Sequence, residues 1–357
     1  MMETSPKTDI RGLTRTALQE WLADKGEAGY RGDQIRRWLF QRMVTRFAEM
    51  TDLSRSLRAL LADHFRIGAL DIAEEAVSSD GSRKYLFRLQ DGVMIESVLI
   101  PEKTHDTICI SSQAGCAQGC RFCLTGSGGL ERNLTAGEIL GQVIEVRRTM
   151  DNPARLTNVV FMGMGEPLAN YRPVAASIES MTDSASGLGF SARRITLSTV
   201  GRVPGMAALG RDTAVNLAVS LNAPDDEIRS RLMPVNHRYP LAALIEACRR
   251  YPLPPRRRIT FEYILLDGVN DRPEQAIALA KLLRPIRAKI NLIPFNEHEG
   301  CGFRRSSGTA IDAFQRILVD RHYTAVIRFS KGLDIKAACG QLRAKAVDAQ
   351  RKPPPAR

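Results

Sequence analysis

Thr107-Ile108-Cys109-Ile110-Ser111-Ser112-Gln113-Ala114-Gly115-Cys116-Ala117-Gln118-Gly119-Cys120-Arg121-Phe122-Cys123 joins a short apolar run to three closely spaced cysteines. The C-x3-C-x2-C spacing supplies three thiolates, one short of what a four-iron cluster needs. A cubane held by Cys116, Cys120 and Cys123 leaves one iron with an open position, where chemistry can occur. The competing reading is a structural zinc site that takes its fourth ligand from Cys109 or Cys339.

Downstream of this stretch, β-rich runs alternate with helical ones. Strands are expected at 107–112, 158–162, 195–199, 216–220, 260–265, 289–294 and 325–329, with helices such as 135–148, 172–184, 272–283 and 309–320 between them. Such alternation implies parallel strands joined by crossover helices, an α/β barrel or open sheet. In a parallel barrel the loops leaving the C-terminal strand ends converge on one face, and sites form there. The cysteine triplet follows the first strand, Gly165 and Glu166 the second, and Asn296 the sixth. Ser198 closes the third strand, and Ser220-Leu221-Asn222 closes the fourth. Singly these residues could be turn formers or helix caps. Their recurrence at successive strand ends is what points to a ligand.

Upstream, Gln90-Asp91-Gly92 lies between two strand-like runs and is an Asp-Gly hairpin signal. Three amphipathic segments open the chain, with Leu18, Trp21 and Leu22, then Ile35, Trp38 and Leu39, then Leu57, Leu60 and Leu61 at helical spacing. The expected organisation is a helical, helix-hairpin-helix-like module over 1–75, a β-hairpin connector over 76–101, a catalytic barrel over 102–340 and a basic, proline-rich tail over 341–357.

The chain has 357 residues, a formal net charge of +12 and seven cysteines. An odd cysteine count with three in one motif argues against a disulfide framework and for a reducing cytoplasm. No membrane-spanning run or signal-peptide core is evident, so no membrane association is expected. Residues 1–75 carry twelve basic and twelve acidic side chains, so the positive excess belongs to the body beyond Glu75. That excess suits a polyanion such as RNA. In the neutral helical module, Arg36 and Arg37 are the residues suspected of touching it.

Longer strings carry a resemblance. Ser111 to Cys116, Arg132-Asn133-Leu134, Met162-Gly163-Met164-Gly165-Glu166-Pro167, and the run from Ser330 through Cys339 to Leu342 closely resemble the RlmN/Cfr family of radical S-adenosylmethionine (SAM) RNA adenine methyltransferases. The resemblance covers all but the extreme termini. It implies a partial (β/α)6 radical-SAM barrel with a small N-terminal helical domain and a connecting β-hairpin. It also implies a [4Fe-4S] cluster on Cys116, Cys120 and Cys123, with SAM contacted by Gly165, Glu166, Ser198, Ser220, Leu221, Asn222 and Asn296.

Family chemistry implies that Cys339 takes a methyl group from one SAM, and that a 5′-deoxyadenosyl radical from a second SAM abstracts hydrogen from that methyl. The carbon radical then adds to adenine, Glu96 removes the ring proton, and Cys109 attacks Cys339 to release the RNA as a disulfide forms. Lys331 and Lys336, close to Cys339 in sequence, would make its setting electropositive and favour the thiolate. Cys248 and Cys301 match no catalytic position. Cys123-Leu124-Thr125-Gly126 is similar to the Cys-Ser-Thr-Gly stretch of the carbon 2 branch, although Leu124 replaces its serine. The implied partners are 23S rRNA, tRNA and an electron-donating reductant, with the chain expected to act as a monomer. The alternatives are carbon 8 methylation and a non-catalytic iron–sulfur RNA-binding protein.

Overall fold

The computed structural model describes residues 7–298 and 300–342, so most of the expected tail lies outside the described residues. One ten-stranded sheet dominates it. Six parallel strands, Asp106–Cys109, Leu156–Phe161, Ile195–Thr199, Asn216–Ser220, Ile259–Leu265 and Ala288–Pro294, lie side by side in chain order. A helix follows each, and a short seventh parallel strand, Ala325–Ile327, closes the series at one edge. Because the sheet keeps two ends, the barrel is partial, as the resemblance implies.

The strands are apolar on both faces because helices cover the outside and the site the inside. Phe261, Tyr263 and Leu265 are all fully buried on the fifth strand. The crossover helices begin where their sequences say they should. Thr135 accepts from the Glu138 N–H at 3.2 Å, and the Glu138 carboxylate accepts from the Thr135 N–H at 2.8 Å, a capping box opening helix Ala136–Thr149.

At the other edge the chain differs from expectation. Arg83–Arg88 and Met94–Pro101 form the expected hairpin, but Asp71–Val77 adds a third antiparallel strand. The connector is therefore a three-stranded meander, hydrogen-bonded through Met94–Pro101 to the first barrel strand. Its outermost strand runs across the boundary expected at 75/76.

The N-terminal module has helices Arg15–Asp24, Tyr30–Phe40 and Arg55–His64, and Thr8–Asp9 pairs in parallel with Phe65–Arg66 to tie its two ends together. Arg36 corrects an expectation. It is buried, and its guanidinium donates to Ser186 Oγ at 3.2 Å and Ser180 Oγ at 3.3 Å while pairing with Asp183 at 3.5 Å. It fastens the module to the barrel and is not available to a phosphate. Arg37, one residue on, is exposed.

Candidate active site

Two neighbouring cavities occupy the C-terminal rim of the barrel. The first, about 150 Å3, is lined by all three motif cysteines together with Gly165, Glu166, Ser198, Ser220 and Asn222. The second, about 180 Å3, is lined by Cys109, Val98, Ile100 and the loop from Arg328 to Leu342. Cys339 lines both.

The cysteine loop is shaped by close backbone packing. Gly115 has φ +75°, and a Cβ there would lie 2.1 Å from the Gly129 carbonyl oxygen, so only glycine fits ahead of Cys116. Cys116 and Cys120 are buried and Cys123 half-buried, all as free thiols. Burial pushes the Cys116 thiol up to about 12 and raises that of Cys120 as well. Such thiols ionise only against nearby positive charge, which a metal centre supplies. Three thiols lining one cavity supply the donor set a four-iron cubane takes from its protein, one thiolate to each of three irons.

Arg229 adds fixed charge beneath this wall. It is fully buried and donates to the carbonyls of Leu221 (3.1 Å) and Val200 (2.7 Å) and to Asn236 Oδ1 (2.7 Å). Burial pushes it down to about 10, while Cys120 and Asp226 pull the other way. Those three acceptors are neutral, so an anionic group beside Cys120 is favoured.

Glu166 is held from three sides. Its carboxylate accepts from Thr199 Oγ1 at 2.7 Å, the Val200 N–H at 2.9 Å and the Leu168 N–H at 3.0 Å, and burial raises its carboxyl against their pull. Two oxygens offer about four acceptor sites, so one remains for a donor in the cavity. Gly165 has φ +100°, and a Cβ there would meet Gln113 at 2.5 Å, which keeps the Gly-Glu turn pressed against the cysteine strand. Asn222 adopts φ +60°, and its Oδ1 accepts from the Ile264 N–H at 2.9 Å.

Not every expected contact borders the first cavity. Leu221 is fully buried and is absent from its lining. Asn296 also stands outside it and donates to Ser330 Oγ at 2.8 Å and to the Cys339 carbonyl at 3.1 Å. Glu96 lines neither cavity. Its carboxylate lies 3.3 Å from Lys84 Nζ, and it shares a strand face with Val98 and Ile100, which do line the second.

The loop carrying Cys339 is fixed at both ends. Before the cysteine, Asp334 accepts from Ser78 Oγ at 2.5 Å and the Ser79 N–H at 3.0 Å, and Asp80 accepts from the Gly332 N–H at 2.8 Å. Burial alone would raise the Asp80 carboxyl, but the Gly332 and Ser82 donors bring it down to about 2. After the cysteine, the Leu124 N–H donates to the Gly340 carbonyl at 2.8 Å, and Thr125 Oγ1 to that of Leu342 at 2.5 Å. One anchor is the meander, the other the turn just beyond Cys123.

The expected electropositive setting of Cys339 is realised only in part, since Arg328 and Lys331 line one of its cavities while Glu102 and Glu262 bring opposite charge. Lys331 is engaged with the Pro101 carbonyl and, at 3.5 Å, with Glu102. The thiol is exposed to the cavities yet surrounded by protein, and that desolvation pushes it up to about 11, with Glu262 and Cys123 adding to the rise. Burial likewise raises the Cys109 thiol, and Cys339 adds to that shift, as expected of neighbours.

Glu262 was missed by sequence reasoning. It lines the first cavity from the fifth strand, where Asn291 donates to it at 2.9 Å, and burial pushes its carboxyl up to about 7. The available signal was a lone carboxylate in the apolar run Ile259-Thr260-Phe261-Glu262-Tyr263-Ile264-Leu265.

Comparison with known proteins agrees with this geometry. Residues 110–280 match the Radical SAM superfamily, which defines the class of enzyme. Residues 8–67 match the ribosomal RNA large subunit methyltransferase N-terminal domain. The dual-specificity RNA methyltransferase RlmN of Desulfosudis oleivorans is 56% identical over 96% of this chain and 93% of its own, and that of Geobacter sulfurreducens is 57% identical over 94% and 92%. The crystal structure of a radical SAM methyltransferase from Sphaerobacter thermophilus superposes with TM-score 0.88 at 45% identity, covering 95% of this chain and 100% of that one. The chain belongs to the RlmN family of radical SAM methyltransferases. Enzymes of this class use a [4Fe-4S] cluster and SAM, and the cysteine wall is chemically suited to the first.

Proposed function

We propose that this enzyme methylates carbon 2 of an adenosine in 23S rRNA, and of an adenosine beside the anticodon in tRNA, with Cys339 as methyl carrier. The supporting observation is the position of Cys339 on the wall shared by the cysteine-lined cavity and the cavity that holds Cys109. One thiol can thus face a methyl donor on one side and a nucleobase on the other.

Cys116, Cys120 and Cys123 would hold the cluster, and Glu166, Ser198, Ser220 and Asn222 would orient SAM beside it. When bound, the cluster would supply one electron to SAM, which would supply the methyl group and the hydrogen-abstracting fragment. The Cys339 thiol loses its proton and its sulfur attacks the methyl carbon of one SAM, so that an S–CH3 bond forms and S-adenosylhomocysteine leaves. After hydrogen is abstracted from that methyl and its carbon has joined the adenine, Cys109 attacks the Cys339 sulfur: a Cys109–Cys339 disulfide forms, the bond from the Cys339 sulfur to the RNA-borne carbon breaks, and that carbon takes a proton as the methylated RNA leaves. A two-electron reductant must restore both thiols. Glu96, on the strand face it shares with Val98 and Ile100, is assigned the ring proton. In this reading the chain works as a cytoplasmic monomer. Among the described residues, no helix is long and apolar enough to cross a membrane.

The test uses anaerobically reconstituted protein with SAM, a reductant and a ribosomal RNA fragment. Cys339→Ala is expected to abolish turnover without a methylated cysteine, and Cys109→Ala to accumulate covalently attached RNA. Cys109→Ala protein that is inactive yet free of RNA would refute this division of labour. Mass analysis locating the new methyl on carbon 8 would overturn the carbon 2 assignment.

A further inference from the structure

Phe329 has the largest exposure among the exposed bulky apolar side chains of the described residues, at 68%. It stands two residues beyond the last strand, on the rim of the cavity that holds Cys109 and Cys339. Single exposed apolar residues ordinarily need no explanation. This one is set among cations. The Arg305 guanidinium lies 6.0 Å from its ring centroid, and Arg328 and Lys331 line the same cavity, where Glu102, paired with Lys331, is the one carboxylate among the described lining residues.

An aromatic face with an arginine beside it and further cations on the same cavity wall is poorly suited to a hydrophobic protein partner, which would have to desolvate those charges. It is well suited to a nucleotide, whose base stacks on the ring while its phosphate meets the cations. The position also matches a requirement of the chemistry. An adenine cannot reach Cys339 while stacked in a helix, so it or a neighbouring base must leave its stack and find another surface.

We propose that Phe329 is a stacking platform for a base of the RNA substrate, either the target adenine or its immediate neighbour, in a single-stranded loop. This rests on the reading of the chain as an RNA methyltransferase. It adds the residue that receives the unstacked base and the form of RNA preferred.

The reconstituted holoprotein is titrated with a ribosomal RNA hairpin carrying the target adenosine in its loop, and with a fully paired duplex of equal length. Phe329→Ala is expected to weaken hairpin binding about 5- to 100-fold, the range for loss of one base–aromatic stack. Duplex binding should change little. The salt dependence of hairpin binding should keep its slope, because no charge is removed. Phe329→Trp should restore affinity and show indole fluorescence quenched by the hairpin, whereas Phe329→Leu should behave as the alanine variant does. Unchanged hairpin affinity in Phe329→Ala, or full rescue by leucine, would overturn the proposal. A wild-type protein that binds the hairpin no better than the duplex and leaves it unmethylated would instead overturn the underlying RNA reading.

Discussion

The side-chain amide of Asn296 holds the carbonyl oxygen of Cys339 at 3.1 Å. A residue expected among the SAM contacts thus sets the backbone position of the thiol expected to carry the methyl group. It acts with Asp334, which ties the start of the same loop to Ser78 and Ser79.

Asn296→Ala removes two hydrogen bonds worth about 1 kcal/mol each. We predict roughly tenfold less methyl-Cys339, by mass spectrometry, after anaerobic incubation with SAM, with the iron content and visible absorbance of the cluster unchanged. Asp334→Ala should likewise lower it, and should speed iodoacetamide alkylation of Cys339 as the loop loosens. Loss of the cluster in either variant, or unchanged Cys339 methylation, would contradict a positioning role.

Glu262 gives a pH dependence of stability whose sign is fixed by its direction of shift. Its folded carboxyl titrates near 7, above the ordinary glutamate range. Below the unfolded pKa both states hold the proton and there is no penalty. As pH rises toward 7 the unfolded chain ionises first, so this group's contribution to stability falls and then levels off. Glu262→Gln should therefore be more stable than wild type at pH 8, by up to about 3 kcal/mol, and about equal to it at pH 4. Urea denaturation of the cofactor-free protein at the two pH values measures this, and a variant less stable at pH 8 would show that the carboxylate is compensated.

Arg36 and Arg37 are neighbours with opposite fates. Arg36→Ala leaves Ser180, Asp183 and Ser186 without their shared donor in a buried setting, so a loss of about 2–4 kcal/mol is expected, read as a lowered thermal midpoint. Its RNA affinity below that midpoint should match wild type. Arg37→Glu should leave the midpoint in place, and any effect on RNA binding belongs to this exposed residue.

The sequence was most readable where local pattern and tertiary environment agree. Ile195–Thr199 and Asn216–Ser220 coincide with the expected strands because short apolar runs bounded by turns have few alternatives between covering helices. Asp71–Val77 was missed because Asp-Ile-Ala-Glu-Glu-Ala-Val has helical composition, and only pairing with Arg83–Arg88 makes it a strand. The cysteine triplet and the Gly-Glu turn could be read because their spacing is local. The Asn296–Cys339 contact, the Arg36 strut and the Ser78–Asp334 tie could not, since each joins residues far apart in the chain. Lys331 does line a cavity with Cys339, but adjacency in sequence did not say that Glu102 would pair with it there.

The two ends of the long sheet differ in charge. Asp71, Glu74 and Glu75 stand on the outermost meander strand, with Arg88 3.6 Å from Asp71 and Arg83 3.3 Å from Glu75, which leaves that flank close to neutral. Exposed carboxylates there also discourage a foreign strand from adding to the sheet. Past Ala325–Ile327 the chain presents the exposed Arg328, and Arg305, bridged to Leu266 beyond the fifth strand, is exposed beside Phe329. Positive charge of this kind, unpaired among the described residues, raises the local concentration of a polyanion at that rim, whereas the meander edge offers it no such attraction.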